Sequence, residues 1–233
     1  MSDNQTLSER LAAIREKRGY LLPHHGLMAI TSPNLLQAYD AAYTAMALDD
    51  RVLSHHDREF VWFGVLIATD EALATHHIAK FRNAGGTDAE IETVLAISAL
   101  CLGFRGYRFV EDHWRPHLPT IEPHSRFLAD LRRLACDVPM RLIHMTAAAI
   151  HTCQAAWDAL ELQIIAAYAD GVPEPELAEA LSLAMFPGSV PYFVEAAGVW
   201  REIIVAGKVE ASPEFREWAL MSGQGGFDEA AGR

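Results

Sequence analysis

The sequence predicts an all-α protein, and three observations carry that reading. Apolar residues recur at three- and four-residue spacing along most of the chain. Helix-opening signatures of the Ser/Thr-x-x-Asp/Glu and Ser-Pro kinds precede those runs. Almost no stretch alternates apolar and polar residues as a half-buried strand would.

Taken in order, Thr6 with Glu9 reads as a capping box, Leu7, Leu11 and Ile14 recur at helical spacing, and Gly19 stands where a C-terminal cap belongs, so residues 7–18 are expected to be helical. Ser32-Pro33 opens a second helix with Leu35, Leu36, Tyr39, Ala42, Tyr43 and Met46 along one face. Ser54 with Asp57 opens a third, carrying Phe60, Phe63 and Ile67. A break near Thr69-Asp70 separates it from a helix bearing His76 and His77, and the two make a helical hairpin. Gly85-Gly86 ends that hairpin, and Thr87 with Glu90 caps the next helix, whose Ile91, Val94, Leu95 and Ser98 share a side. The proline-bearing segment Leu118 to Pro123 reads as a linker, after which Phe127, Leu131 and Leu134 resume the helical period. Ser212-Pro213 starts a short closing helix through about Leu220.

These elements suggest two tandem helical units, 1–120 and 121–222, followed by a disordered tail at 223–233. The pairs Gly85 and Gly171, Glu90 and Glu176, Leu95 and Leu181, and Trp114-Arg115 and Trp200-Arg201 recur at one constant separation, which points to an internal duplication.

Composition narrows the function classes. With 233 residues, 51% hydrophobic and 21% charged, the chain has the balance of a globular protein. Its longest apolar stretch, Phe60 to Thr69, is too short for a bilayer, and no secretory pattern opens the chain, so a cytoplasmic protein with no membrane partner is expected. Cys101, Cys136 and Cys153 show no CxxC or metal-ligand spacing and suit a reducing compartment. A net charge of -12 repels phosphate backbones, which argues against nucleic acid as a partner. An anionic small substrate would need a local pocket of arginines or histidines.

The stretch from Arg58-Glu59 through the apolar run to His77, Ala84-Gly85, Thr87 and Glu90-Ile91 resembles the core motif of the carboxymuconolactone decarboxylase / alkylhydroperoxidase-D superfamily. The resemblance covers about residues 33 to 115, with a degenerate copy over about 141 to 206, in which Gln163 and Met145 take the places of His77 and Glu59. It implies a homo-oligomer, one site per chain, and chemistry at a His with a Glu. Peroxidase members carry a CxxC pair ahead of the His; Asp70 and Leu73 occupy those positions here, so a dithiol cycle has no resolving partner.

His77 and Glu59 fall on adjacent antiparallel helices, each within reach of the break near Thr69-Asp70, where a carboxylate can orient an imidazole for proton transfer. His76, Asp70, Arg105, Tyr107 and His113 are the further candidates for substrate contact, Arg105 and Tyr107 because Gly103 and Gly106 interrupt their helix. Adjacent histidines in a helix point about 100° apart, and the one i,i+4 pair, His113 and His117, has Pro116 between its members, so no metal site is expected. The resulting expectation is a cofactor-free lyase or isomerase acting on a small carboxylated metabolite. A peroxidase using a lone Cys and a non-catalytic ligand-binding or scaffold protein are the alternatives.

Overall fold

The computed structural model describes residues 6–224, all helices, turns and loops with no strand among them. The chain divides between Arg51 and Val52 into two compact units. Of the tail expected at 223–233, residues 225–233 lie outside the described residues.

The first unit holds α1 (Leu7–Arg18), α2 (Pro23–Thr31) and α3 (Pro33–Ala47). The Thr6 and Glu9 capping box opens α1 and Gly19 closes it. Helix α2 was not legible in the sequence, because Leu22 has no side-chain cap; instead His25 Nδ1 accepts the Leu22 N–H at 3.1 Å, and Pro23 supplies the preset φ. Ile14, Ala29 and Leu36, one from each helix, meet in a small core. Arg18 lies 4.3 Å from the Tyr43 ring centre and pairs with Asp40 at 2.8 Å. Burial, with His24 and Arg18 adding to it, pushes the His25 pKa down to about 4.

The second unit runs α4 (His55–Ala68), α5 (His76–Asn83), α6 (Asp88–Leu102), α7 (Phe104–Phe109), a π-helical turn at Val110–Trp114 and a 3-10 turn at Arg115–His117. It continues through α8 (Pro123–Leu134), α9 (Met140–Cys153), α10 (Trp157–Ala169), α11 (Glu174–Ser182), α12 (Val190–Val205) and α13 (Pro213–Leu220). Helices apolar on every side belong inside, and two of these fit: residues 58–66 of α4 and 142–153 of α9 are buried without interruption. Each large aliphatic or aromatic side chain so buried contributes roughly 1.5–3 kcal/mol.

Contacts between α4 and α9 climb both helices together. Asp57 meets Arg141 at 2.5 Å near their starts, Gly64 faces Thr146 and Ile150 midway, and the Gln154 amide donates to the Ala68 carbonyl at 2.5 Å near their ends. The two helices therefore run parallel. Gly64 makes this possible, since a Cβ there would lie 2.6 Å from Thr146 Cγ2.

The contact-based division falls at 51/52 and not at the boundary expected at 120. The segment 118–123 lies inside the second unit, where Phe104 packs edge-on against Phe127 at 4.9 Å across it. A proline-bearing loop marks a chain reversal, and only the packing of α4 on α9 shows that both sides serve one core. Gly85 and Gly171 both adopt positive φ, at 92° and 73°. The correspondence fades later, where Trp114 is 51% exposed and Trp200 only 3%.

Among the described residues one helical run, Asp88–His117, is by length and composition long and apolar enough to cross a membrane, which the sequence reading did not anticipate. In the second unit its buried side, including Val94, Ile97 and Phe104, belongs to the core where α6 packs on α4 and α9.

Candidate active site

Helix α4 begins where Ser54 Oγ accepts the Asp57 N–H at 3.1 Å and ends at Ala68. The chain then turns through Asp70, a non-glycine residue at φ 53°, and re-enters helix after the His77 N–H reaches the Ala74 carbonyl at 3.1 Å. This turn folds the start of α5 back along α4.

The fold brings His77 Nδ1 to 2.5 Å from Glu59 Oε2, with both residues 2% exposed. Trp62, one turn along from Glu59, stacks on the His77 ring at 4.8 Å and 27°. That stacking was not foreseen from the sequence; Trp62 itself is buried in the core. The His76 ring lies 4.4 Å from the His77 ring. With the carboxylate ionised, Nδ1–H donates to Glu59 and Nε2 carries the lone pair, which is the tautomer a proton shuttle needs.

A cavity of about 450 Å³ opens at the α4–α5 turn. Phe63, Leu66 and Ile67 of α4 wall it, Ala74, Thr75 and Ile78 face them, and Asp70 and Glu71 supply its charge. His77 and Glu59 do not line it, although Phe63 is one turn beyond Glu59 and Ile78 follows His77 in the chain.

Of the other expected contacts, Asp70 lines this cavity, but the structure does not bring Arg105, Tyr107 or His113 to it. Arg105 is exposed, the Tyr107 hydroxyl donates to Asp130 on α8 at 2.9 Å, and His113 packs edge-on to Phe109 at 5.0 Å. The cause is that α7 turns its polar side toward α8 and solvent. Arg58 is 1% exposed and lies 3.9 Å from Glu179, which also accepts the Leu53 N–H at 2.9 Å. Its role is to hold the start of α4.

Sequence reasoning missed a second buried histidine cluster. His144 Nδ1 meets the Gln163 amide, while Nε2 lies 2.7 Å from Asp170, itself paired with Arg132 at 2.5 Å. Both ring nitrogens are occupied, which suits a structural histidine. Burial lowers its pKa, outweighing the Asp170 charge that raises it. His151 is completely buried between Phe104 and Phe127, neither ring nitrogen has a hydrogen-bond partner, and burial pushes its pKa down to about 3.

The thiols contribute little reactivity. Burial raises Cys101 far above its ordinary value and pushes Cys153 up to about 12; only Cys136 is exposed. Among the described residues, no group of three His, Cys, Asp or Glu side chains could hold a metal ion.

Residues 33–110 match the family model described as the carboxymuconolactone decarboxylase family. No curated protein and no solved structure matches the chain. The matched stretch contains Glu59, Trp62, the Asp70 turn, the cavity and His77, in keeping with the wider alkylhydroperoxidase-D superfamily. The likeness to that family therefore holds for residues 33–110 of the 233.

Proposed function

We propose that this chain is a cofactor-free lyase or isomerase in which His77 moves a proton to or from a small molecule lodged at the α4–α5 turn. Glu59 fixes the imidazole tautomer, and Trp62 holds the ring plane. The observation that carries the reading is the buried 2.5 Å contact between His77 Nδ1 and Glu59 Oε2, beside a cavity. In a decarboxylation of the kind the family name describes, loss of CO2 leaves a carbanion or enolate, which an imidazolium can stabilise and then protonate.

A second reading, a non-catalytic ligand-binding protein, draws on one fact: the His77 ring is buried and does not line the cavity. A peroxidase based on a lone Cys draws least support, because two of the three thiols are buried with raised pKa.

The test is carbon-bound proton exchange into deuterated solvent and CO2 release, measured across a panel of small carboxylic acids and amines. His77→Gln and Glu59→Gln are each expected to lower turnover by about 10²–10⁴-fold while the fold persists. A folded His77→Gln protein with unchanged kinetics would sink the proposal and leave the binding reading.

A further inference from the structure

We propose that the outward face of α6 and α7 is a contact surface for a second copy of this chain, laid antiparallel along it. The inward face is already used, since Val94, Ile97, Cys101 and Phe104 are buried. On the other side Leu95, Ala99, Leu102, Gly106 and Phe109 are all exposed, and they succeed one another at alternating four- and three-residue steps. That is the spacing of a seam between two helices, with a period of about 3.5 residues. Gly103, where α6 gives way to α7, stays right-handed at φ -80°, so the face continues across the junction. Leu95, Leu102 and Phe109 are 57, 44 and 46% exposed, and no charged residue interrupts them within the seam.

The sizes along the seam select a second copy as the occupant. Large Leu95, Leu102 and Phe109 alternate with small Ala99 and Gly106. Two copies laid antiparallel about a two-fold axis between Leu100 and Cys101 set Leu95 against the partner's Gly106 and Leu102 against the partner's Ala99. Each large side chain then meets a hole, and the symmetry repeats both contacts. A parallel pairing in register would put large on large and small on small. Gly106 supports this independently. It is exposed and helical, a Cβ built there meets nothing within 4 Å, and no positive φ requires glycine, so nothing within the chain accounts for the missing side chain. The partner's Leu95 does.

The area agrees. From Leu95 to Phe109 the seam is about 21 Å long at 1.5 Å per residue, and one helix crossing of that length falls short of the roughly 800 Å² per partner of a stable interface. Apolar surface continues past it: the Trp114 ring lies 5.1 Å from that of Phe109, and Trp114, Leu118 and Ile121 are all exposed. At the matching place in the second half, Trp200 is covered instead by Phe215 and Trp218 of α13, with ring centres at 5.2 and 6.2 Å.

Sedimentation velocity of the full chain over a concentration series tests this, and a reversible dimer or a multiple of one is expected. Leu95→Gln combined with Leu102→Gln should raise the dissociation constant by about tenfold or more. Gly106→Leu should weaken the assembly as well, by filling the hole, although the single chain leaves room for the new side chain. All three positions are exposed, so circular dichroism of these variants should match the parent. Leu220→Gln, at a residue 66% exposed on α13, serves as the control and should leave the assembly unchanged. A monomer at every concentration, an assembly that neither seam variant weakens, or one that Leu220→Gln weakens equally would each overturn the proposal.

Discussion

Gly64 of α4 lies against Thr146 of α9 so closely that no side chain fits between the two helices, with a Cβ at position 64 falling 2.6 Å from Thr146 Cγ2. Ile150 closes the same space, its Cδ1 at 3.1 Å. Gly64→Ala is therefore expected to destabilise the protein by about 1–3 kcal/mol, against the usual gain from replacing a helical glycine. Denaturant unfolding checks this. Thr146→Ser in the Gly64→Ala background removes the clashing methyl, and it should recover part of the loss; no recovery would argue against close packing at this crossing.

Breaking the buried pair at the candidate site should be costly to the fold as well as to turnover. Glu59→Ala strips His77 of its partner in a buried setting and is expected to cost about 3–5 kcal/mol, whereas Glu59→Gln retains a hydrogen-bond acceptor and should cost less. Thermal denaturation of the two variants side by side measures the difference. Equal stability of both would mean that the carboxylate contact contributes nothing to folding.

Acid should weaken the fold in a defined window. His151 has a folded pKa of about 3 against an ordinary value of 6.5, so the unfolded chain takes up a proton that the folded chain refuses once pH drops below 6.5. Stability is complete above that pH and falls by up to about 1.4 kcal/mol per pH unit toward pH 3. His25, with a folded pKa of about 4, and His144, also lowered, add slopes of the same sign. His151→Leu removes two unpartnered buried nitrogens, so it should raise stability at pH 7 by about 1–3 kcal/mol and flatten the acid slope. Urea midpoints measured from pH 7.5 to 4.5 decide this; an unchanged slope in His151→Leu would assign the acid sensitivity elsewhere.

Thiol titration distinguishes the lone-cysteine reading from proton transfer. Of the three cysteines, only Cys136 is exposed, so an aromatic disulfide reagent is expected to label about one thiol per native chain and all three after denaturation. Alkylation of the native protein should leave any turnover intact. Rapid native labelling of Cys101 or Cys153 would contradict the burial that raises their pKa.

Much of the architecture was legible before any coordinates. Capping boxes at Thr6 and Thr87 and the Ser54 cap mark helix starts, because the first N–H groups of a helix need acceptors and the sequence supplies them locally. Helix α2 escaped because its start uses Pro23 and the His25 ring instead of a hydroxyl cap. Glu59 and His77 could be nominated from the sequence, since a hairpin turn places them on facing helices.

Local signals determine where helices begin, which residues are apolar, and which titratable groups sit near one turn. The tertiary structure alone decided the rest. Parallel packing of α4 on α9 built the core of the second unit, and the fold buried Arg58 beside Glu179, turned Tyr107 toward Asp130, and left Asp70 and Glu71 as the charged lining of the cavity. Those outcomes depend on contacts between residues as far apart as Gly64 and Ile150, and no period or spacing within one helix encodes which distant surface it will meet.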